Sequence, residues 1–236
     1  MAITTILFDM DGTLLPMDQE VFTKQYFKLL AKKMAPHNYK PEELIDGVWK
    51  GTSAMIKNNG SMSNEDAFWS KFSEIYGQKA YDDKCIFDEF YRNEFTGVKD
   101  VCGHNEKVSE LINNLKKEGY RLVLATNPIF PQIATENRIS WTGLSCDDFE
   151  LCTSYENMSY SKPNPKYYLE ITEKIGVKPE ECLMVGNDVS DDMVAELIGM
   201  KVFLLSDCLI NKENKDISAY PSGNFEALEK YVKENH

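Results

Sequence analysis

Residues 6–15 read ILFDMDGTLL, and this stretch constrains the fold of the chain more than any other. The run of three apolar residues at its start is typical of a buried strand. Asp9 follows directly, and Gly12 marks the point where a strand gives way to a turn. Asp9 is therefore expected at the carboxyl end of a strand, with Asp11 in the turn beyond it. In open α/β sheets that edge binds ligands, and two acids held so close need a cation or a shared proton.

From about residue 99 onward, apolar strand patterns alternate with amphipathic helix patterns. The strands are predicted at residues 121–125, 149–153, 182–185 and 201–205, and a terminal helix is predicted at 224–234. Such alternation indicates an α/β fold with a parallel sheet that is covered by helices on both faces.

Between the first strand and this region the pattern is helical throughout, so residues 16–98 are predicted to be an all-helical domain inserted into the sheet domain. The sheet domain, or core, then consists of residues 1–15 and 99–236. The helical insert is rich in aromatic residues, and most of these are expected to form its hydrophobic core rather than a ligand pocket. The densest set is Phe22, Tyr26, Phe27, Trp49, Phe68, Trp69 and Phe72.

Polar residues directly follow three of the predicted strands, namely those that begin at Ile6, Arg121 and Cys182. Thr126 and Asn127 come after the strand that begins at Arg121, and an acidic turn, residues 186–192, follows the strand that begins at Cys182. Lys162 stands in a proline-fixed turn, SKPNP. Because a parallel sheet places the carboxyl ends of its strands at one edge, these distant stretches are expected to converge near Asp9.

In this order the motifs resemble those of the haloacid dehalogenase-like superfamily. The first motif is an apolar strand followed by DMDGT at residues 9–13, the second a hydroxyl residue at Thr126, the third Lys162 with its proline neighbours, and the fourth the acidic turn. Each motif alone is a weak signal, but four in order at strand ends are a strong one. The resemblance covers the whole core and implies a Rossmann-like parallel sheet with a helical cap.

The resemblance also implies roles for individual residues. Asp9 would be a covalent nucleophile that becomes an aspartyl phosphate, and Asp11 would protonate the leaving oxygen and then deprotonate a water. The hydroxyl of Thr126, the backbone amide of Asn127 and the ammonium of Lys162 would bind the phosphoryl group.

The implied cofactor is Mg²⁺, held by Asp9, the backbone carbonyl of Asp11 and Asp188, with Asp192 as a supporting acid. Many relatives read Gly-Asp at the fourth motif, where this chain reads Gly-Asn-Asp. An alignment anchored on the glycine would place Asn187 at the ligand position. A hard cation prefers a charged oxygen, which favours Asp188, and both alternatives stay open.

Composition narrows the possible partners and the cellular compartment. The formal net charge is −12, which disfavours binding to nucleic acid or to an anionic membrane. The six cysteines show no metal-binding spacing and are expected to be reduced thiols of a cytoplasmic protein. The first residues do not resemble a signal peptide, and no apolar stretch is long enough to span a membrane. The oligomeric state is not indicated.

The function predicted is a Mg²⁺-dependent phosphomonoesterase that acts on a small phosphorylated metabolite beneath a mobile cap. A phosphomutase acting on a sugar phosphate is the alternative, because it would use the same core. A dehalogenase needs neither the second acid nor the metal, so Asp11 and Asp188 argue against it. A non-catalytic binding module is disfavoured because all the expected polar groups are present.

Overall fold

The computed structural model describes residues 2–235, so the first and last residues of the predicted core lie outside the described part. Its sheet contains β1 (Thr5–Phe8), β2 (Arg121–Leu124), β3 (Leu151–Cys152), β4 (Cys182–Gly186), β5 (Lys201–Leu205) and β6 (Ser222–Gly223). The order is β3-β2-β1-β4-β5-β6, and every neighbouring pair is parallel. The predicted α/β fold with a parallel sheet is therefore confirmed. Within residues 2–235, no helix is both long and apolar enough to cross a bilayer.

The strands bury side chains on both faces of the sheet, and alternate residues reach opposite faces because the strand period is two. Ile6 and Phe8 pack into one hydrophobic cluster together with helices α6 (Lys107–Lys117) and α9 (Phe225–Glu234). Leu7 points into a second cluster that includes residues of α8 (Pro165–Ile175). Because both faces of the sheet are covered, the strands must be apolar at nearly every position.

Helices α1 to α5 lie between β1 and β2 in the chain. They are α1 (Gln19–Met34), α2 (Pro41–Ile56), α3 (Asn64–Tyr76), α4 (Lys79–Asp82) and α5 (Lys84–Arg92), followed by a 3₁₀ helix at Glu94–Val101. Local capping explains several of the boundaries. The Asp18 side chain accepts from the backbone N–H groups of Glu20 and Val21 to begin α1, and Ser63 accepts from Asp66 to begin α3.

The helical segment packs directly on the core through aromatic residues. Phe22 lies edge-on to Phe130, with ring centroids 6.3 Å apart, and Phe95 lies 5.7 Å from Trp141. Asn64 is fully buried at the start of α3, and its amide nitrogen donates to the carbonyl oxygens of Pro128 and Tyr160. These contacts seat the helices over the carboxyl edge of the sheet.

The structure differs from the sequence predictions in a few elements. The segment after the acidic turn is a 3₁₀ helix at Met193–Ile198, and β6 was not predicted. Helix α7 (Gln132–Ser140) lies between β2 and β3 in the chain. β6 has two residues, Ser222 and Gly223, which are too few for a periodic pattern to be visible. Strand β3 is likewise shorter than the predicted 149–153.

Replacing Phe72 by alanine is expected to lower the free energy of unfolding by about 3 kcal/mol, because it leaves a cavity in a fully buried aromatic cluster. Phe72 stacks on Phe68, with centroids 5.6 Å apart, and lies edge-on to Phe87. Urea denaturation followed by circular dichroism measures the loss. Ile75→Ala on the same helix is the control, since Ile75 is 40% exposed; an equal loss for both variants would contradict the placement of the cluster.

Candidate active site

The carboxyl ends of β1, β2 and β4 lie side by side. Phe8 is in register with Leu124 and with Val185. The pairing continues past the strand ends, because the Asp9 N–H donates to the Val185 carbonyl at 2.9 Å. The residues that follow each strand are thereby brought to one edge of the sheet. All the candidate residues line a single cavity of about 270 Å³, namely Asp9, Asp11, Thr126, Asn127, Lys162, Asn187, Asp188 and Asp192.

Lys162 is the cation of this cavity and joins two of its acids. Its ammonium lies 2.7 Å from Asp9 Oδ1 and 2.7 Å from Asp192 Oδ1, and its side chain is 2% exposed. Burial acts to lower the pKa of Lys162, but the carboxylates of Asp192 and Asp9 raise it well above its ordinary value. Lys162 therefore stays protonated at neutral pH. Asn164 and Pro165, which begin α8, fix the loop that carries it.

The first turn after β1 packs tightly against the fourth motif. The Thr13 hydroxyl lies 3.2 Å from Asp9 Oδ2 and 3.1 Å from Asn187 Oδ1, so it is within donating distance of both acceptors. Gly12 has a φ of +88°, and a Cβ there would stand 2.3 Å from the Asn187 amide nitrogen. Only glycine permits this approach. Asn187 is 1% exposed and is held from its other side by the carbonyl of Cys208, to which its amide donates.

The acidic turn after β4 holds its own side chains in place. Asp188 Oδ1 accepts from the backbone N–H groups of Ser190 and Asp191, and Asp192 Oδ2 accepts from the N–H of Asp188. Gly186 leaves space for Asp192, whose carboxylate would overlap a Cβ at that position. Asp191 is half-buried and also lines the cavity. Burial raises the pKa of Asp191 to about 6.

Thr126 and Asn127 follow β2 and lie on the opposite side of Asp9. Thr126 is 1% exposed, and its backbone carbonyl accepts from the hydroxyls of Thr153 and Tyr167 at 2.7 and 2.8 Å. These two bonds fix the backbone of the strand end. The Asn127 side-chain oxygen is buried without a hydrogen-bond partner. A buried polar atom of this kind in a cavity is what a ligand site leaves unsatisfied.

Arg138 is a site residue that sequence reasoning missed. Its guanidinium is fully buried, forms an ion pair with Asp11 Oδ2 and lies 4.6 Å from the centroid of the Phe130 ring. Burial raises the pKa of Asp11, and the charge of Arg138 opposes that rise. The other oxygen, Asp11 Oδ1, is buried and unpaired. A signal was present in the sequence: Arg138 lies four residues after Ala134, on the buried stripe of α7.

The sequence interpretation of the aromatic residues was incomplete. Except for Phe72, the aromatic residues named above as the expected core of the helical segment all line the cavity. Most of them are also buried members of the main hydrophobic cluster. One set of side chains therefore serves as both core and cavity wall, and the two interpretations were not exclusive.

The donor chemistry of this edge fits Mg²⁺. Within residues 2–235, no three His, Cys, Asp or Glu side chains converge as a metal-binding group. Mg²⁺ does not require such a group, because it is usually bound by one or two carboxylates and keeps several waters. Asp9, Asp11, Asn187 and Asp188 all border the same cavity, and the metal ligands that they can offer are oxygens. The residues present therefore fit this ion.

Comparison with known proteins defines the class. The family model for haloacid dehalogenase-like hydrolases matches residues 3–199, and the chain belongs to this family. Pyrophosphatase PpaX from Bacillus cereus is 25% identical over 207 residues, which cover 87% of this chain and 84% of that protein.

Two solved structures show the likeness of the fold. The 2-haloacid dehalogenase from Pseudomonas syringae pv. tomato superposes with a TM-score of 0.60 at 18% identity and covers 98% of this chain and 99% of its own. The hydrolase YfnB from Bacillus subtilis, solved with magnesium bound, gives a TM-score of 0.55 at 18% identity, with coverages of 98% and 99%. At these identities the likeness concerns the fold alone.

The ion pair between Arg138 and Asp11 can be measured by a double-mutant cycle. Arg138→Met is expected to lower the free energy of unfolding by roughly 3 kcal/mol, because it removes a fully buried cation and leaves a largely buried carboxylate unpaired. In the background of Asp11→Asn the same change should cost about 1–3 kcal/mol less. Urea denaturation of the four proteins gives the coupling energy. The exposed pair Lys107–Glu226 supplies the control cycle, where little coupling is expected. Equal coupling in both cycles would contradict a buried pair.

Proposed function

We propose that this chain is a Mg²⁺-dependent phosphatase that hydrolyses monoesters of a small phosphorylated metabolite through an aspartyl phosphate on Asp9. The observation that carries the proposal is the contact of Asp9 with Lys162 inside one cavity that also contains Asp11, Thr126 and Asn127. The names of PpaX, a pyrophosphatase, and of the magnesium-bound YfnB support it. The free thiols of all six cysteines agree with a cytoplasmic protein.

The first half of the reaction forms the bond between Asp9 and phosphorus. A carboxylate oxygen of Asp9 attacks the phosphorus, and the bond between phosphorus and the ester oxygen breaks. Lys162, the Thr126 hydroxyl and the Asn127 backbone N–H bind the phosphoryl oxygens, where negative charge must be neutralised. The leaving oxygen takes a proton from Asp11. Because Arg138 holds Oδ2 of Asp11, Oδ1 is the oxygen that carries this proton.

The second half regenerates the enzyme. Asp11, now ionised, takes a proton from a water molecule while that water attacks the phosphorus. The bond between Asp9 and phosphorus breaks, inorganic phosphate is released, and Asp9 is again a carboxylate. Residues 16–98 act as a cap that shields these steps from bulk water.

Mg²⁺ would be held by Asp9, the backbone carbonyl of Asp11 and Asp188, with Asp192 as the supporting acid through its bond to the Asp188 N–H. When bound, the ion offsets the negative charge of the carboxylates and of the phosphate. Asn187 is the alternative ligand, because its side-chain oxygen lies close to Asp9: the Thr13 hydroxyl is within donating distance of both.

Asp9→Asn is expected to lower phosphate release by roughly 10⁴-fold or more, because an amide cannot act as the covalent nucleophile. Release of inorganic phosphate from p-nitrophenyl phosphate with Mg²⁺ measures the effect, and circular dichroism checks that the fold is kept. Asp66→Asn, at an exposed position of α3, is the matched control. Appreciable activity of the Asp9 variant would exclude covalent catalysis by this residue. Phosphate transfer to a sugar without release of free phosphate would instead indicate a mutase.

Asp188→Ala is expected to raise the Mg²⁺ concentration that gives half-maximal activity by at least roughly 10- to 100-fold, the loss that removing a group that only supports a metal ligand already causes. A Mg²⁺ titration of phosphate release measures it. Asp191→Ala removes the same charge from the same turn and is expected to shift the titration much less. An unchanged titration for Asp188→Ala, together with a large shift for Asn187→Ala, would transfer the ligand position to Asn187.

A further inference from the structure

We infer that the substrate is the phosphate monoester of an uncharged alcohol that carries one ring or a similar apolar group, and that esters with a second anionic group are disfavoured. The inference rests on the proposed phosphatase function and concerns the part of the substrate that departs as the alcohol.

The wall of the cavity that faces the sheet edge is mainly apolar and aromatic; it also contains three uncharged polar residues, Gln19, Thr23 and Thr52, and the Thr52 hydroxyl donates to the Val48 carbonyl. Helices α1, α2, α3 and α5 supply this wall, whereas the polar chemistry stands at the sheet edge. The rings of Phe130 and Tyr155 extend it on the core side. A phosphoryl group bound at Lys162 therefore points its ester oxygen toward rings. The rings of the helical segment include Phe22, Tyr26, Phe27, Trp49, Phe68 and Trp69.

The charges of the cavity are confined to the sheet edge. Among the described residues that line it, the helical segment contributes no Lys, Arg, His, Asp or Glu, and Lys162 is the single cation. Lys162 is already engaged by Asp9 and Asp192. A carboxylate or a second phosphate on the alcohol would meet rings without a counter-charge, and burying an unpaired anion is costly.

The lysines of the helical segment that could have met such a group lie elsewhere. Lys50, on α2, pairs with Asp46 at 2.7 Å, and its side chain is about half exposed. Lys57 is exposed and does not line the cavity. Lys24 of the helical segment, and Lys212 of the core, border an adjoining, wider opening rather than the cavity itself, and Asp18 and Glu20 line the same opening.

The polar atoms of the aromatic wall bind one another. The hydroxyls of Tyr26 and Tyr91 are 2.9 Å apart, and the Trp69 indole N–H donates to the Tyr155 hydroxyl at 3.4 Å. The wall therefore offers mainly ring faces and edges to a substrate. An apolar group gains free energy there simply by leaving water.

The size of the cavity limits the alcohol. An engineered cavity of about 150 Å³ holds benzene. A volume of about 270 Å³ therefore accommodates a phosphoryl group and one ring. The missing counter-charge, and not the volume, separates the chain from its relative PpaX, since pyrophosphate carries a second phosphate in place of an alcohol.

The test compares kcat/KM for four substrates with the whole enzyme and Mg²⁺: 2-phenylethyl phosphate, ethyl phosphate, 2-phosphoglycolate and pyrophosphate. The first two have primary alkyl leaving groups, so their ratio reports the contribution of the ring. We expect 2-phenylethyl phosphate to exceed ethyl phosphate by roughly 10- to 100-fold, the factor that burial of one ring supplies. The kcat/KM values for 2-phosphoglycolate and pyrophosphate, which each carry a second anionic group, should be lower than the value for ethyl phosphate.

Equal kcat/KM values for the two alkyl esters, or a higher value for 2-phosphoglycolate or pyrophosphate, would overturn the inference about the substrate. Hydrolysis of these compounds would still support the phosphatase function. Absence of phosphate release from every ester, p-nitrophenyl phosphate included, would overturn both. The outcomes of the two proposals are therefore distinguishable in one experiment.

Variants at Trp49 test the wall directly. Trp49 lines the cavity but is 51% exposed, so its replacement should leave the fold intact. Trp49→Ala is expected to lower the ratio of kcat/KM for phenylethyl over ethyl phosphate by about tenfold. Trp49→Lys should in addition raise the ratio of kcat/KM for 2-phosphoglycolate over ethyl phosphate, since the lysine supplies the missing cation. Ile56→Ala, exposed on the same helix and outside the cavity, is the control and should not change either ratio. Unchanged ratios in both Trp49 variants would contradict the inference.

Discussion

The buried ammonium of Lys162 is the interaction on which the rest of the site depends. It binds Asp9, which follows β1, and Asp192, which lies in the turn after β4. A buried charge that loses its partners is strongly destabilising, so each of these groups requires the others. The ion pairs hold together three segments that are separated by up to 183 positions (192 − 9) in the chain. The parallel order of the strands is what makes such a meeting possible.

The helical segment and the core share one hydrophobic cluster, and this has a consequence for function. Phe22 and Tyr26 of α1 contact Phe130 of the core, and all three rings also border the cavity. The contacts that seat the helices are thus made by the same residues that would contact a substrate. A ligand that fills the cavity would therefore contact both the helical segment and the core.

Much of this arrangement could be predicted from the sequence because its signals are local. The strand at residues 201–205 follows from an apolar run, Ser63 begins α3 because its hydroxyl accepts a backbone N–H, and Gly176 ends α8 because glycine readily adopts a positive φ. Arg138 is different: its place on the stripe of α7 could indicate that it is buried, but its partner Asp11 lies 127 positions away, and no local pattern identifies that partner. The double role of the aromatic residues was also hidden, because a ring that packs against neighbours and a ring that borders a cavity have the same periodicity.

The sequence also leaves open whether Asn187 or Asp188 is the metal ligand, and this choice depends on the charge of the site. Five carboxylates line the cavity, those of Asp9, Asp11, Asp188, Asp191 and Asp192, while Lys162 brings one positive charge and Arg138, behind Asp11, a second. With all five acids ionised the sum is −5 + 2 = −3, and a phosphate dianion would lower it further. Burial raises the pKa values of Asp11, Asp191 and Asp192, so protonation relieves part of this charge. A divalent cation offsets two more negative charges. Because the acids of the site already outnumber its cations, a neutral asparagine instead of an aspartate at position 187 weakens the attraction for the metal ion only a little.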